Sequence, residues 1–91
     1  MSLKTISIPD SSLGNTVELC ELTMDKFLAV QRQMGTVEDG MTASLEYLSH
    51  MLFVDGTAVT RKQIGEYGMS EVLKLLNRMN ELFPQAEAGE G

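Results

Sequence analysis

Hydrophobic and polar residues alternate in two short segments near the start of the chain, at residues 4–8 and 16–22. This alternation is the period of a half-buried β-strand, in which every second side chain lies on the same face. The apolar residues of that face would be Ile6, Ile8, Val17 and Leu19. Residues 9–15 between the segments include Pro, Asp, Ser, Gly and Asn, which favour turns. The pattern predicts an N-terminal β-hairpin.

Two segments with helical spacing follow the hairpin. Thr23 is a suitable N-cap for the first helix, which we expect to end near Gly35. Thr36 and Asp39 then form a second start signal, for a helix that should run to about Leu52. The apolar stripes would consist of Met24, Phe27, Leu28 and Met34 in the first helix and of Val37, Met41, Leu45, Leu48 and Leu52 in the second. With almost no linker between them, the two helices should pack as neighbours.

A second turn signal lies in the middle of the chain. The Asp-Gly pair at residues 55–56 favours a tight turn, and we expect the flanking segments 53–54 and 58–59 to pair as a short hairpin. Thr60 and Gln63 have the spacing of a capping box. A short helix is therefore predicted directly after this hairpin.

The last predicted helix has the widest apolar face. We expect Ser70 to cap this helix and Pro84 to end it. The centre of the apolar face would consist of Val72, Leu76, Met79 and Phe83. With Leu73 on one flank and Leu75 and Leu82 on the other, the apolar sector covers about 180°, against about 100° for an ordinary surface helix. We assign these three flanking leucines to binding of a protein partner.

Length and composition favour one small domain. A chain of 91 residues buries only about 60 to 65 per cent of its unfolded surface, so its core is modest and a partner is plausible. We predict a single α+β domain over residues 1–83, with the N-terminal hairpin packed on three to four helices. Residues 84–91 have neither an apolar period nor bulky side chains, and we expect them to form a disordered tail.

The charge balance argues against two classes of partner. Seven Lys and Arg residues against 13 Asp and Glu give a net charge of −6, which opposes binding to nucleic acid or to an anionic membrane. No apolar run approaches the roughly 20 residues that cross a bilayer, and no secretion signal is recognisable. These features predict a soluble protein of the cytoplasm.

Candidate chemistry is sparse. His50 is the only histidine and Cys20 the only cysteine, whereas a metal site needs three or four ligands. Sequence alone leaves a Ser-His-Asp or a Cys-His arrangement open, because such partners meet only in the fold, but neither His50 nor Cys20 lies in a catalytic motif. Cys20 is interpreted as a small, partly buried apolar residue. Gly65 and Gly68 lack the Lys-Ser or Lys-Thr that ends a phosphate-binding loop. We therefore predict no catalytic site, no metal and no cofactor.

Methionine is abundant, with seven residues in the chain. Its flexible thioether can fill gaps in a core or form an adaptable protein-binding surface. Each methionine taken singly is better explained by core filling. Together with the wide face of the last helix, they favour a helical contact with a partner.

The order of these elements resembles the phage tail-assembly chaperone family. The resemblance lies in Val-Glu-Leu-Cys-Glu-Leu-Thr at residues 17–23, Phe-Val-Asp-Gly at 53–56, Val-Thr at 59–60 and Val-Leu-Lys-Leu-Leu at 72–76. This family likewise places an Asp-Gly turn before a Thr cap, a short helix and a Leu-rich final helix. The chain departs from it with Arg61-Lys62, where acids are common, and with Gly-Glu-Tyr-Gly at 65–68, where a Leu-Pro step is common.

The resemblance implies a non-catalytic role in the cytoplasm of a bacterial host. Such a chaperone binds the long, aggregation-prone tape-measure protein before tail-tube subunits polymerise around it. A longer product made by ribosomal frameshifting often recruits the tail-tube protein. The alternative is a small homo-oligomeric structural or regulatory domain of phage or prophage origin, and a small enzyme subunit is a more distant third.

Overall fold

The computed structural model describes residues 3–35 and 40–83. Over these residues the chain forms an antiparallel sheet with helices packed against it, which confirms the predicted α+β class. The elements, in chain order, are β1 (Thr5–Ser7), β2 (Val17–Cys20), α1 (Met24–Met34), α2 (Gly40–Met51), β3 (Leu52–Val54), β4 (Thr57–Ala58), α3 (Arg61–Gly65), α4 (Met69–Met79) and a 3-10 turn (Asn80–Leu82).

The two hairpins form one sheet, with strand order β1-β2-β3-β4. Strand β2 pairs with β3 although α1 and α2 lie between them in the chain, and Leu19 lies opposite Leu52. The sequence predicts both hairpins but contains no local signal for this pairing. Non-local pairing joins the N-terminal half of the chain to its centre and places a continuous apolar surface under the helices.

The inner face of the sheet is the one predicted from the alternation. Residues Ile8, Val17 and Leu19 are buried, and Ile6 packs against them at the edge. Leu52 continues this surface, and the helices close it with side chains of a single core. Helix α2 is central because it contacts α1, α3 and α4. Side chains at the alternate positions of the strands, including Glu18 and Phe53, point away from this core.

The Asp-Gly turn is confirmed. Asp55 and Gly56 have φ angles of 52° and 82°, and a two-residue hairpin turn of this kind requires positive φ at both central positions. Val54 pairs with Thr57 across the turn, so β4 begins one residue earlier than predicted. Asp55 also joins the two hairpins, because its Oδ1 accepts a hydrogen bond of 2.8 Å from the amide of Thr16.

Close packing at this junction makes Gly14 sensitive to substitution. A Cβ at Gly14 would lie 2.6 Å from Val54 Cγ1 and 2.8 Å from Asp55 Oδ2. We therefore expect Gly14→Ala to lower the free energy of unfolding by about 1 to 3 kcal/mol, the usual cost of overpacking. Urea denaturation followed by circular dichroism measures this loss. The control is Gly40→Ala, because a Cβ at Gly40 meets no atom within 4 Å. Equal stability of the two variants would contradict close packing of Gly14 against Val54 and Asp55.

Helix α1 begins and ends as predicted. The amide of Lys26 donates to Thr23 Oγ1 at 3.1 Å, and Gly35 ends the helix with φ 63°. Its apolar stripe is wrong in part. Val30 is the buried residue, whereas Met24 is 61% exposed and Leu28 is exposed as well. Only one side of the helix faces α2, and that side follows the line Phe27, Val30 and Met34.

Helix α2 ends at Met51, and Leu52 already belongs to the sheet. Leu48 is buried as predicted and Leu45 packs at the edge of the core, but Met41 is exposed. The predicted capping box over residues 36–39 lies outside the described residues. No helix of the described chain is long and apolar enough to cross a membrane.

An aromatic cluster joins the helices near the end of the described chain. The ring of Tyr47 stacks on Phe27 at 5.3 Å between centroids and meets Phe83 edge-on at 5.3 Å. Burial raises the pKa of the Tyr47 phenol above its usual value, so the group stays neutral at physiological pH. The cluster fixes the segment after α4 against α1 and α2.

The capping box of α3 is confirmed in both directions. The amide of Gln63 donates to Thr60 Oγ1, and the amide of Thr60 donates to Gln63 Oε1. The predicted cap of α4 is wrong, because the helix begins at Met69 with Gly68 as its N-cap and Ser70 lies inside its first turn. Pro84 and the predicted tail at residues 84–91 lie outside the described residues.

Polar contacts hold α4 to the loop between β1 and β2. Ser11 Oγ donates to Glu71 Oε2 at 2.5 Å, and Lys74 Nζ donates to the carbonyl oxygen of Asp10 at 2.8 Å. Lys74 also lies 3.6 Å from Glu71 Oε1. These bonds place the first half of α4 at the closed end of the β1–β2 hairpin.

Candidate protein-binding surfaces

The three flanking leucines of the last helix do not share one environment. Leu75 is 0% exposed and Leu82 is 6% exposed, and both belong to the core. Their assignment to an exposed, partner-binding flank is therefore wrong. Leu73, at 41% exposure, is the one of the three that faces outward.

The error at Leu82 follows from the end of the helix. The predicted centre of the face included Phe83, which assumes that the α-helix continues to that residue. Instead the α-helix ends at Met79 and a 3-10 turn follows. A 3-10 turn advances about 120° per residue rather than 100°, so positions after Met79 rotate away from the expected line. The buried line of α4 is Val72, Leu75 and Met79, with helical spacing of three and four. The error at Leu75 therefore lies within the regular helix, whose buried side is turned toward Leu75 relative to the predicted centre of the face.

Leu73 lies beside Met69 on the outer side of α4. Residues four apart are neighbours on a helix surface, and Met69 is 78% exposed. We call these two residues the helix-four patch. Sequence reasoning missed Met69, because with Ser70 as the expected cap it lay before the helix. Its spacing of four from Leu73 was the available signal.

A second apolar surface lies on the outer side of the sheet. An open groove of about 240 Å³ has a floor of Leu3, Cys20, Leu22 and Phe53, with Glu21, Thr23, Lys26 and His50 around it. We call it the sheet groove. Sequence analysis did not predict it, because it combines the end of β2, the start of β3 and the ends of α1 and α2. It lies at the open end of the β1–β2 hairpin, opposite the end to which α4 is bound.

The groove brings together Cys20 and His50, the pair that sequence alone left open. Cys20 Sγ donates to the carbonyl oxygen of Glu21 at 3.6 Å, and His50 Nε2 lies 3.7 Å from Glu46 Oε2. No hydrogen bond joins the two residues, so the thiol has no base oriented toward it. Within residues 3–35 and 40–83, no three His, Cys, Asp or Glu side chains are placed to hold a metal ion.

Comparison with known proteins adds no relative. No protein-family model, curated protein or solved structure matches the chain. The helix-four patch, the sheet groove and the resemblance of the sequence are therefore the features that point to a function.

Proposed function

We propose that this protein is a non-catalytic tail-assembly chaperone that binds the tape-measure protein of a tailed bacteriophage or prophage. The observation that carries the proposal is the helix-four patch. Met69 and Leu73 expose apolar side chains on a helix whose opposite side is firmly packed in the core. Clustered exposed apolar side chains favour a contact with another protein.

Two further features support a chaperone over other binding proteins. The family resemblance joins the Asp-Gly turn, the Thr60 cap and the Leu-rich final helix in the same order as tail-assembly chaperones. The net charge of −6 would also keep a complex with an aggregation-prone client dispersed. The proposal extends to the tail-tube protein as a second partner, recruited through a longer frameshifted product.

The test is capture of a co-expressed tape-measure protein encoded near the gene of this chain. Leu73→Glu should reduce the amount of tape-measure protein that co-purifies by about fivefold or more, because desolvated apolar anchors often contribute more than ~1 kcal/mol to binding. Leu73 is outside the core, so the circular dichroism spectrum and the midpoint of unfolding should change little.

The matched control is Gln33→Glu, which adds the same charge at an exposed position of α1. Capture that is equal in Leu73→Glu and Gln33→Glu would overturn the helix-four patch as the client surface. Sedimentation of the wild-type protein alone tests the alternative, a self-associating domain. That alternative is favoured if the wild-type protein is a homo-oligomer, Leu73→Glu dissociates it, and no tape-measure protein is captured.

A further inference from the structure

The sheet groove has the chemistry of a second protein-binding site. We propose that it binds an apolar segment of a partner protein that carries Lys or Arg beside its apolar anchors. The inference rests on the protein-binding role proposed above and gives the chemistry of a contact made by the opposite end of the molecule.

The shape of the groove favours side chains over a small-molecule ligand. Its volume of about 240 Å³ is below the roughly 300 to 1,000 Å³ of ligand pockets, and it is open to solvent along its length. Phe53 lies on the outward face of the sheet and is half-buried, as are Cys20 and Leu22. An exposed Leu3 at one side extends this apolar floor. Such a floor receives one or two apolar side chains of a peptide segment.

The charges around the groove favour basic groups in that segment. Glu18 lies directly opposite Phe53 across the β2–β3 pair, Glu21 lines the groove, and Asp25 lies in the adjoining first turn of α1. Among the described residues none of these three carboxylates forms an ion pair. Within the part of the chain that the structure describes, the one hydrogen bond to the Glu21 carboxylate comes from the backbone amide of Lys4 to Oε1.

The cations nearby do not balance these carboxylates. Lys4 and Lys26 are the lysines of this region, and His50 already lies against the carboxylate of Glu46. Glu46 and His50 balance each other, so the unpaired groups in or beside the groove are three carboxylates, Glu18, Glu21 and Asp25, and two ammonium groups. A partner with Lys or Arg next to its apolar anchor would complement this excess of negative charge. The excess has the same sign as the net charge of the whole chain.

The same charges disfavour a second copy of this chain as the occupant. Two copies joined face to face at the groove would bring the Glu18, Glu21 and Asp25 carboxylates of each molecule together, six carboxylates against the four ammonium groups of Lys4 and Lys26. Like charges across an interface weaken association, and each copy also carries a net charge of −6. The partner is therefore a different, basic and apolar segment.

The experiment uses two fluorescently labelled synthetic peptides with the purified full chain. One alternates Leu and Lys, and the other alternates Leu and Glu. Fluorescence anisotropy should show that the Leu-Lys peptide binds at least about tenfold more tightly. Raising the salt concentration from about 0.05 M to about 0.5 M should weaken this binding severalfold because salt screens exposed charges. Equal binding of both peptides, or no binding of the Leu-Lys peptide, would overturn the inference.

Variants locate the contact. Phe53→Thr retains a strand-forming residue but removes the aromatic floor, and should weaken binding of the Leu-Lys peptide by about tenfold. Glu18→Gln should weaken it about threefold, because Glu18 lies opposite the groove residue Phe53 on the outer face of the sheet. Glu66→Gln changes the net charge equally but lies at the end of α3, and should have no effect. If Phe53→Thr does not fold, the comparison of Glu18→Gln with Glu66→Gln decides. Equal peptide binding by those two variants would place the site elsewhere.

These results are independent of the tape-measure experiment. Leu73→Glu lies on α4 and should leave binding of the Leu-Lys peptide unchanged. If the Leu-Lys peptide does not bind but Leu73→Glu still reduces capture of the tape-measure protein, the groove inference is wrong and the proposed function stands. If the Leu-Lys peptide binds but the wild-type protein does not capture the tape-measure protein, the groove inference stands and the proposed client is wrong.

Discussion

Replacing Leu75 by Glu is expected to unfold the domain. Leu75 is fully buried in the core beside Val72 and Met79, and within the described residues no buried side chain is polar or charged. Placing an unpaired carboxylate there costs several kcal/mol, and domains of this size are stable by only about 5 to 15 kcal/mol. Circular dichroism at 25 °C should therefore show loss of most helical signal. From the sequence alone, with Leu75 on a partner-facing flank, the same change is predicted to be neutral for folding.

Leu73→Glu is the matched comparison for this prediction. It introduces the same side chain two residues earlier on α4, at a position that is 41% exposed, and should remain folded. The pair separates burial from any effect of Glu on the helix itself, because both residues are interior to α4. A Leu75→Glu protein as stable as Leu73→Glu would show that the buried line of α4 is misassigned.

Replacing Leu48 by Ala is expected to cost about 2 to 5 kcal/mol of unfolding free energy, the usual range for a large-to-small change in a core. Leu48 is fully buried on α2, the helix that contacts α1, α3 and α4. A cavity at this point removes contacts from several elements at once. Urea denaturation measured against the wild-type protein gives the loss directly.

Leu45→Ala should cost less than Leu48→Ala. From the sequence the two leucines are equivalent, since both belong to the apolar stripe of the second helix. In the structure Leu45 is only partly buried at the edge of the core. A loss of less than about 0.5 kcal/mol in Leu48→Ala, the scale of an ordinary surface change, would contradict the assignment of α2 as the central helix.

Local elements were predictable where a few neighbouring residues decide them. Thr23 caps α1, Thr60 and Gln63 form their capping box, and Asp55-Gly56 turns the second hairpin. Each of these depends on hydrogen bonds or φ angles within about four residues, which the sequence shows directly. The prediction of Ser70 as the cap was wrong because α4 begins at Met69, one residue before Ser70, and Gly68 has the extended φ and ψ of an N-cap.

The candidate sites were less predictable because exposure is a property of the packed chain. Leu73, Leu75 and Leu82 are the same residue type on one helix, yet Leu75 and Leu82 are buried and Leu73 is exposed. Leu73 and Leu75 differ because the side of α4 that contains Leu75 is the one packed in the core, and the 3-10 turn after Met79 changes the orientation of Leu82. Neither feature has a signature within the final helix.

By itself the sequence determined the α+β class, the two hairpins, the helices and the inner face of the first hairpin, since periodicity, caps and turn residues act locally. Tertiary structure alone decided that β2 pairs with β3, because strands separated by two helices find each other through the shared core and not through neighbouring residues. The same packing decided which side of α4 remains open. It also assembled the sheet groove, whose floor residues Leu3, Leu22 and Phe53 come from separate parts of the chain.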